Sequence, residues 1–358
     1  MKSKKLLVIM MAVMLSILLS GCSASAMNAN SWSGLSADTE KAYLANGSLV
    51  YAISLDNGSV VWQYPADKAD TKEAYFAAPV LTEDGQLLLA SAGTAHSLVS
   101  LNPVTGVMNW SFGDSDGIWI ASPIAVDETI YAPNTDGKLY AFDLNGNFLW
   151  AKHLGGPLWS QPLVDGDFLY INSLDHNLYA FDIAKEDVAW AAKLSGAAPG
   201  SPLLGADGTL YSGSFGAKVE AVNSATHSTK WDFATAGWVW DALALDGESL
   251  YVGDLDGNFY AIDAANGDLI WGPVKPNGTI LGAPLLTEDF IVIGTESGTA
   301  YAYDHDGSTL WQQVIGGQLY SAPVQGGELI LFSPMENDSI LVALDNEGKQ
   351  VWQFTPEN

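Results

Sequence analysis

Few side chains in this sequence are spaced for chemistry. The run Gly113-Asp114-Ser115-Asp116-Gly117 matches Gly-x-Ser-x-Gly, a pattern that presents a serine nucleophile for acyl transfer. That presentation requires a strand-to-helix turn in an α/β sheet. The surrounding sequence reads as short β segments, so the match predicts a loop. Asp-x-Asp-Gly occurs at 114–117, 254–257 and 304–307. A calcium loop needs further oxygen ligands at fixed positions downstream. Asp254-Leu-Asp256-Gly257 and Asp304-His-Asp306-Gly307 instead fall where hairpin turns are expected. The histidines at 96, 153, 176, 227 and 305 are scattered without ligand spacing. No catalytic residue, metal site or cofactor is therefore expected.

The remaining reactive group is the single cysteine, Cys22, which excludes an internal disulfide. Lysines at 2, 4 and 5 precede an apolar run, Leu6 to Leu19, interrupted only by Ser16. That run suits a signal core and is short for a membrane span. Leu19-Ser20-Gly21-Cys22 follows. This pattern resembles the lipobox of bacterial lipoproteins. It implies removal of residues 1–21 and acyl anchoring (diacylglycerol, palmitate) through Cys22. Residues 23–31 are small and polar, a flexible tether that spans about 30 Å at most when fully extended. The expected organisation is a signal peptide over 1–21, the lipidated cysteine and tether over 22–31, and one folded body over 32–358. The expected location is the cell envelope, outside the cytoplasm. In a cell with two membranes, Ser23 after the cysteine, where Asp would favour inner-membrane retention, points to the outer one.

Acidic residues number 41 against 14 basic ones, all of them lysine, for a net charge of −27. Removing residues 1–21 makes the chain more negative still. Nucleic acid is excluded as a partner, because phosphate contacts need clustered Lys and Arg. Flat docking on an anionic membrane is disfavoured by repulsion.

The elements that position these residues are set by tryptophan. Trp62, Trp110, Trp150, Trp190, Trp231, Trp271, Trp311 and Trp352 are 48, 40, 40, 41, 40, 40 and 41 residues apart. Each ends a segment such as Ala261-Ile-Asp263-Ala-Ala-Asn-Gly267-Asp-Leu-Ile-Trp271. Departures occur: Ser100 and Asn102 before Trp110, Glu186 for Gly before Trp190, and Asn223 and His227 before Trp231. Within a unit the runs 122–126, 129–132, 138–143 and 148–151 are short and β-rich. Asp127-Glu128, Asp136-Gly137 and Asn145-Gly146 separate them, supplying hairpin turns. Four strands per unit of about 40 residues is a propeller blade. The fold class is therefore all-β, an eight-bladed propeller of four-stranded antiparallel blades. A blade alone cannot bury both faces, whereas a closed ring can. Two closures are open: edge to edge, or an added strand from residues 23–31.

The Ala-x-Asp-x-x-x-Gly-x-x-x-Trp segments resemble the tryptophan-docking motif of pyrroloquinoline-quinone-like propeller repeats, over residues 32–358. The resemblance implies an interblade docking role for the eight tryptophans. That family holds quinoprotein alcohol dehydrogenases and non-enzymatic, BamB-like envelope lipoproteins. The dehydrogenases carry a vicinal Cys pair over the quinone and an Arg beside it, and this sequence has one Cys and no Arg. The resemblance thus implies an interaction scaffold, non-enzymatic and monomeric outside its complex, with an envelope protein as partner. Outer-membrane protein assembly is the implied setting. A glycan- or small-ligand-binding propeller is the alternative, and a quinoprotein oxidoreductase comes third.

Aromatic residues outside the docking set gather in one place. Phe76, Trp119, Trp159, Trp238, Trp240 and Tyr320 all lie just before the first strand of a unit. Equivalent positions of a propeller converge on one mouth of the central funnel, so these six form a candidate binding rim. The competing expectation is that they plug the funnel. The connection from Pro65 to Ala74, with Lys68 and Lys72, enters the same rim.

Overall fold

A computed structural model describes residues 32–67, 70–241 and 243–356. Cys22, the tether and Lys68 lie outside the described residues. From Trp32 onward the chain forms one compact unit.

Eight four-stranded antiparallel sheets follow one another in chain order, and each is built from four consecutive strands. These are blades 1 to 8, over residues 34–64, 80–112, 124–153, 163–193, 203–234, 244–274, 285–314 and 324–354. Blade 3 is representative, with strands Ile124–Val126, Thr129–Pro133, Lys138–Asp143 and Phe148–His153. First strands, next to the axis, have two to four residues, and fourth strands have five to seven. The second and third strands are covered on both faces by neighbouring blades. They therefore read as continuous apolar runs, such as Leu139-Tyr140-Ala141-Phe142, all buried. Each cluster of the core joins two adjacent blades; one unites Leu88, Ala90 and Leu98 with Ile130, Tyr140 and Phe142.

One irregularity recurs in every blade. The pairing of third and fourth strands shifts register beside the docking tryptophan, as where Ala141 faces Trp150 but Phe142 faces Phe148. The same shift falls at Ala52/Ile53, Ala261/Ile262 and Ala343/Leu344. A bulge of this kind re-aims a side chain. Here it turns each tryptophan toward the next blade.

The ring closes edge to edge. Leu35, Leu44, Tyr51 and Ile53 of blade 1 share a core with Leu331, Leu341, Ala343 and Phe354 of blade 8. The indole Nε1 of Trp352 donates to the carbonyl of Leu55 at 2.8 Å, and Ser321 Oγ donates to the carbonyl of Ser33. Among the described residues no extra strand joins blade 8.

Candidate functional site

Two rings of side chains stand out, one near the outer edge of the blades and one at the axis.

In the outer ring the indole N–H of a docking tryptophan donates to a carbonyl in the next blade. Trp62 reaches Pro103 at 2.9 Å, Trp110 reaches Leu144 at 3.1 Å and Trp231 reaches Ala264 at 3.1 Å. Trp271 reaches His305 at 2.8 Å and Trp311 reaches Asn346 at 2.9 Å. The ring lies flat on the glycine of the receiving turn. A Cβ on Gly146 would sit 2.4 Å from Trp110, and φ there is +79°, which an L side chain rarely adopts. Two turns lack this glycine. Glu186 (φ 52°) and His227 (φ 59°) hold the left-handed conformation in its place. They receive Trp150 and Trp190, the two docking indoles without such a hydrogen bond among the described residues. Trp190 stacks on the His227 ring instead, centroids 4.6 Å apart. At Trp190 the His227 ring takes the place of the turn carbonyl as the partner of the indole. All eight indoles are half-buried except Trp62, which is buried.

The inner ring is set by the residue at the entry to each first strand, usually a proline just before it: Pro79, Pro123, Pro162, Pro202, Pro284 and Pro323. Leu35 and Leu243 take its place in blades 1 and 6. The residue four before it points into the interblade core: Tyr75, Trp119, Leu158, Ala198, Val239, Ile280 and Leu319 are each at most 1% exposed. The residue three before it faces the funnel. In blade order these are Trp32, Phe76, Ile120, Trp159, Pro199, Trp240, Leu281 and Tyr320, and all eight line one central cavity of about 390 Å³.

This register sorts the six expected rim residues. Phe76, Trp159, Trp240 and Tyr320 reach the funnel. Trp119 does not, and placing it there was an error of one residue. It occupies the core-facing slot at 0% exposure, its Nε1 donating to the His96 carbonyl at 2.8 Å. Ile120 faces the funnel in its stead. Trp238 stands one residue outside the core-facing slot, 54% exposed, and stacks on Phe215 with centroids 5.2 Å apart. Counting back from the prolines would have found Ile120, Pro199 and Leu281, which grouping by aromatic type passed over; Trp32 stands three before Leu35, where no proline marks the count.

The funnel rings touch across the axis. Phe76 meets Trp32 at 5.2 Å, Trp32 meets Trp240 at 6.4 Å, and Trp240 meets Trp159 at 6.3 Å and Phe215 at 5.3 Å. The Tyr320 hydroxyl is 3.4 Å from Glu296 Oε1. Burial, and then the Glu296 charge, raise its pKa. Polar groups of the wall bind blade to blade: Ser122 Oγ donates to the Ala78 carbonyl at 2.9 Å and Gln161 Nε2 to the Pro123 carbonyl at 3.2 Å. Asp241 Oδ2 accepts from the Ala283 N–H at 3.3 Å.

The sequence matches considered at the outset fall elsewhere. Ser115 lies outside any strand and its Oγ donates to the Gly117 carbonyl at 2.8 Å. Asp254-Leu-Asp256-Gly257 and Asp304-His-Asp306-Gly307 are turns, closed by Gly257 N–H to the Asp254 carbonyl and Gly307 N–H to the Asp304 carbonyl, each 3.0 Å. Among the described residues no group of three or more His, Cys, Asp or Glu is placed to hold a metal ion.

Eight docking motifs around a closed ring define a propeller of quinone-type repeats. The family model that matches is described as "Outer membrane protein assembly factor BamB", over residues 22–204, 188–287 and 273–358, and the chain belongs to that family. A BamB of Nitrosomonas eutropha is 30% identical over 110 residues, 30% of this chain and 26% of that protein. One of Bordetella pertussis is 24% identical over 226 residues, 58% of each chain. The chain thus spans between about a quarter and three fifths of these relatives' length. A quinohemoprotein alcohol dehydrogenase of Pseudomonas putida is also similar, 29% identical over 172 residues, 41% of this chain and 23% of the enzyme. Among solved structures, BamB of Moraxella catarrhalis superposes with a TM-score of 0.71 at 18% identity, covering 89% of this chain and 96% of the other. At that identity the likeness is one of fold.

Proposed function

We propose that this chain is a lipid-tethered, non-enzymatic scaffold of outer-membrane protein assembly, working through protein–protein contacts in the bacterial cell envelope. One observation carries the reading: the match to a family named for that assembly factor runs from Cys22 to the end of the last blade. The lipobox supplies the tether, and its reach keeps the body near the membrane. In a cell with two membranes, that membrane is the outer one. The ring suits such a role, because its blades are locked edge to edge and present a fixed surface. The exposed Trp238–Phe215 stack is the contact we assign to an envelope protein partner, since exposed aromatic pairs anchor interfaces. A quinoprotein reaction finds no support in the residues, with no Arg and a single Cys in the whole sequence.

The test joins depletion to crosslinking. Depleting the protein in its own cells should lower β-barrel proteins in the outer membrane, with recovery by the wild type and by a chain carrying a photoreactive phenylalanine at position 238. The same side chain should crosslink to a component of the assembly machine. Unchanged β-barrel levels together with no crosslink from position 238 would end the proposal. The anchor is checked separately: mass spectrometry of the mature N-terminal peptide should find acyl chains on Cys22, and Cys22→Ser should release the protein from membranes.

A further inference from the structure

The cavity at the axis has a chemistry that an assembly role does not require. Its walls are aromatic faces set at angles to one another, 49° for Trp32 and Phe76, 74° for Trp32 and Trp240, and 59° for Trp240 and Trp159. Rings at such angles are tilted or edge-on to one another instead of stacked face to face, and all four line the cavity. Each face presents the negative lobe of its quadrupole. The Asp241 side chain adds a carboxylate to the same wall, and none of the lining residues is Lys or His. The whole chain carries −27, so the field around the mouth also favours positive charge. The donor hydrogens of Ser122, Gln161 and Ser321 are committed to neighbouring carbonyls, and Ser33 Oγ donates to the Ser333 carbonyl at 3.4 Å. What these groups leave over are acceptor lone pairs, which with the π faces suit a cation without N–H groups.

We infer that the funnel mouth is an aromatic cage for a small soluble organic cation of the quaternary ammonium class, held by Trp32, Phe76, Trp159 and Trp240 with Asp241 as counter-charge. A volume of about 390 Å³ is at the scale of small-ligand sites. Cation–π attraction grows as water is displaced from the ring faces, and the four rings here are half-buried. The inference is distinct from the assembly role: it uses Trp240 and Asp241, whereas the partner contact uses Trp238, and the two meet only at Phe215, which touches both indoles.

The experiment titrates the full-length lipidated protein, in a neutral polyoxyethylene detergent, with choline and with its uncharged carbon isostere 3,3-dimethyl-1-butanol. Indole N–H resonances and tryptophan fluorescence report binding. Choline should saturate, and the isostere should bind about tenfold more weakly, the size of a desolvated cation–π contact. Trp240→Ala should abolish the response. Asp241→Asn should weaken choline several-fold and flatten its salt dependence, with unchanged melting of both variants as the control. Should Trp240→Ala melt early, Trp159→Ala takes its place. Equal binding of the isostere would make the cavity a plain apolar pocket and overturn the proposal. So would no saturation by about 100 mM choline, a concentration matching negligible affinity. Tighter binding of maltotriose would make the ligand a glycan. Tighter binding of acetyl-arginine amide would make it a partner's side chain. Either result overturns the assignment.

Discussion

The outer and inner rings of this propeller are built from the same number of positions, one per blade, yet they differ in composition. The outer ring is tryptophan eight times over, and its exceptions lie in the receiving turns, at Glu186 and His227. The inner ring runs through Trp, Phe, Ile, Trp, Pro, Trp, Leu and Tyr. Six of the eight outer positions solve one packing problem, to seat a flat ring on a glycine turn and satisfy its N–H. A single best answer repeats. The inner positions share a location but not a packing partner, because they face the cavity and not the turn of a neighbouring blade. Repetition therefore marks the positions that hold the ring together, and variation marks those free to be shaped by a ligand or partner.

The sharpest break of that comparison lies between two tryptophans that look alike in sequence. Trp119→Ala removes a fully buried indole and should cost about 3–5 kcal/mol in urea unfolding. Trp240→Ala, which faces the cavity, should cost under about 1 kcal/mol, as a partly exposed site away from the core does. Equal costs would mean that the inner ring is structural after all. Next in size is Gly146→Ala, which sets a methyl against the Trp110 ring in a left-handed turn. Strain and overpacking together should cost about 2–3 kcal/mol.

The same tryptophan pair shows how far the sequence could be read. The period near 40 and the turn glycines made blade number, strand order and docking positions legible, since each rests on local pattern. Register at the mouth was less so. Ile118-Trp119 and Leu158-Trp159 look equivalent by residue type, but counted from Pro123 and Pro162 they differ by one, and one residue separates core from funnel. Closure was not legible, because blades 1 and 8 meet through residues about 300 apart, as in Trp352 with Leu55. The cage was hidden for the same reason. Trp32 and Trp240 touch although no local pattern links them.

A smaller effect separates docking sites from one another. Replacing the indole by Phe keeps most of the packing and deletes the N–H. Trp271→Phe should leave the His305 carbonyl without its donor and cost about 1 kcal/mol beyond the packing change. Trp190→Phe has no such bond to lose, so its excess should be near zero. Double substitution with His227→Gly measures the Trp190–His227 stack directly as a coupling energy, expected at about 0.5–1 kcal/mol. A coupling of zero would show that His227 is merely tolerated under the indole.

The smallest effect concerns the turns that carry the mouth. Asp175 accepts from the Tyr179 hydroxyl at 2.6 Å and from the Gly156 N–H at 2.9 Å, tying a turn of blade 4 to the loop that leads to Trp159. Burial pushes its pKa up, but these hydrogen bonds outweigh burial and hold it below the ordinary value of 3.8. A carboxylate with a depressed folded pKa lends stability that is fully present above its unfolded pKa and fades as pH falls through the folded one. Wild type should therefore exceed Asp175→Asn in stability at neutral pH. The gap should narrow as pH drops below about 4, the unfolded carboxylate range, and be lost as pH falls through the folded value. Urea unfolding at a series of pH values reads that gap. A gap independent of pH would mean that the shape of the side chain, and not its charge, holds the loop beneath the inner ring.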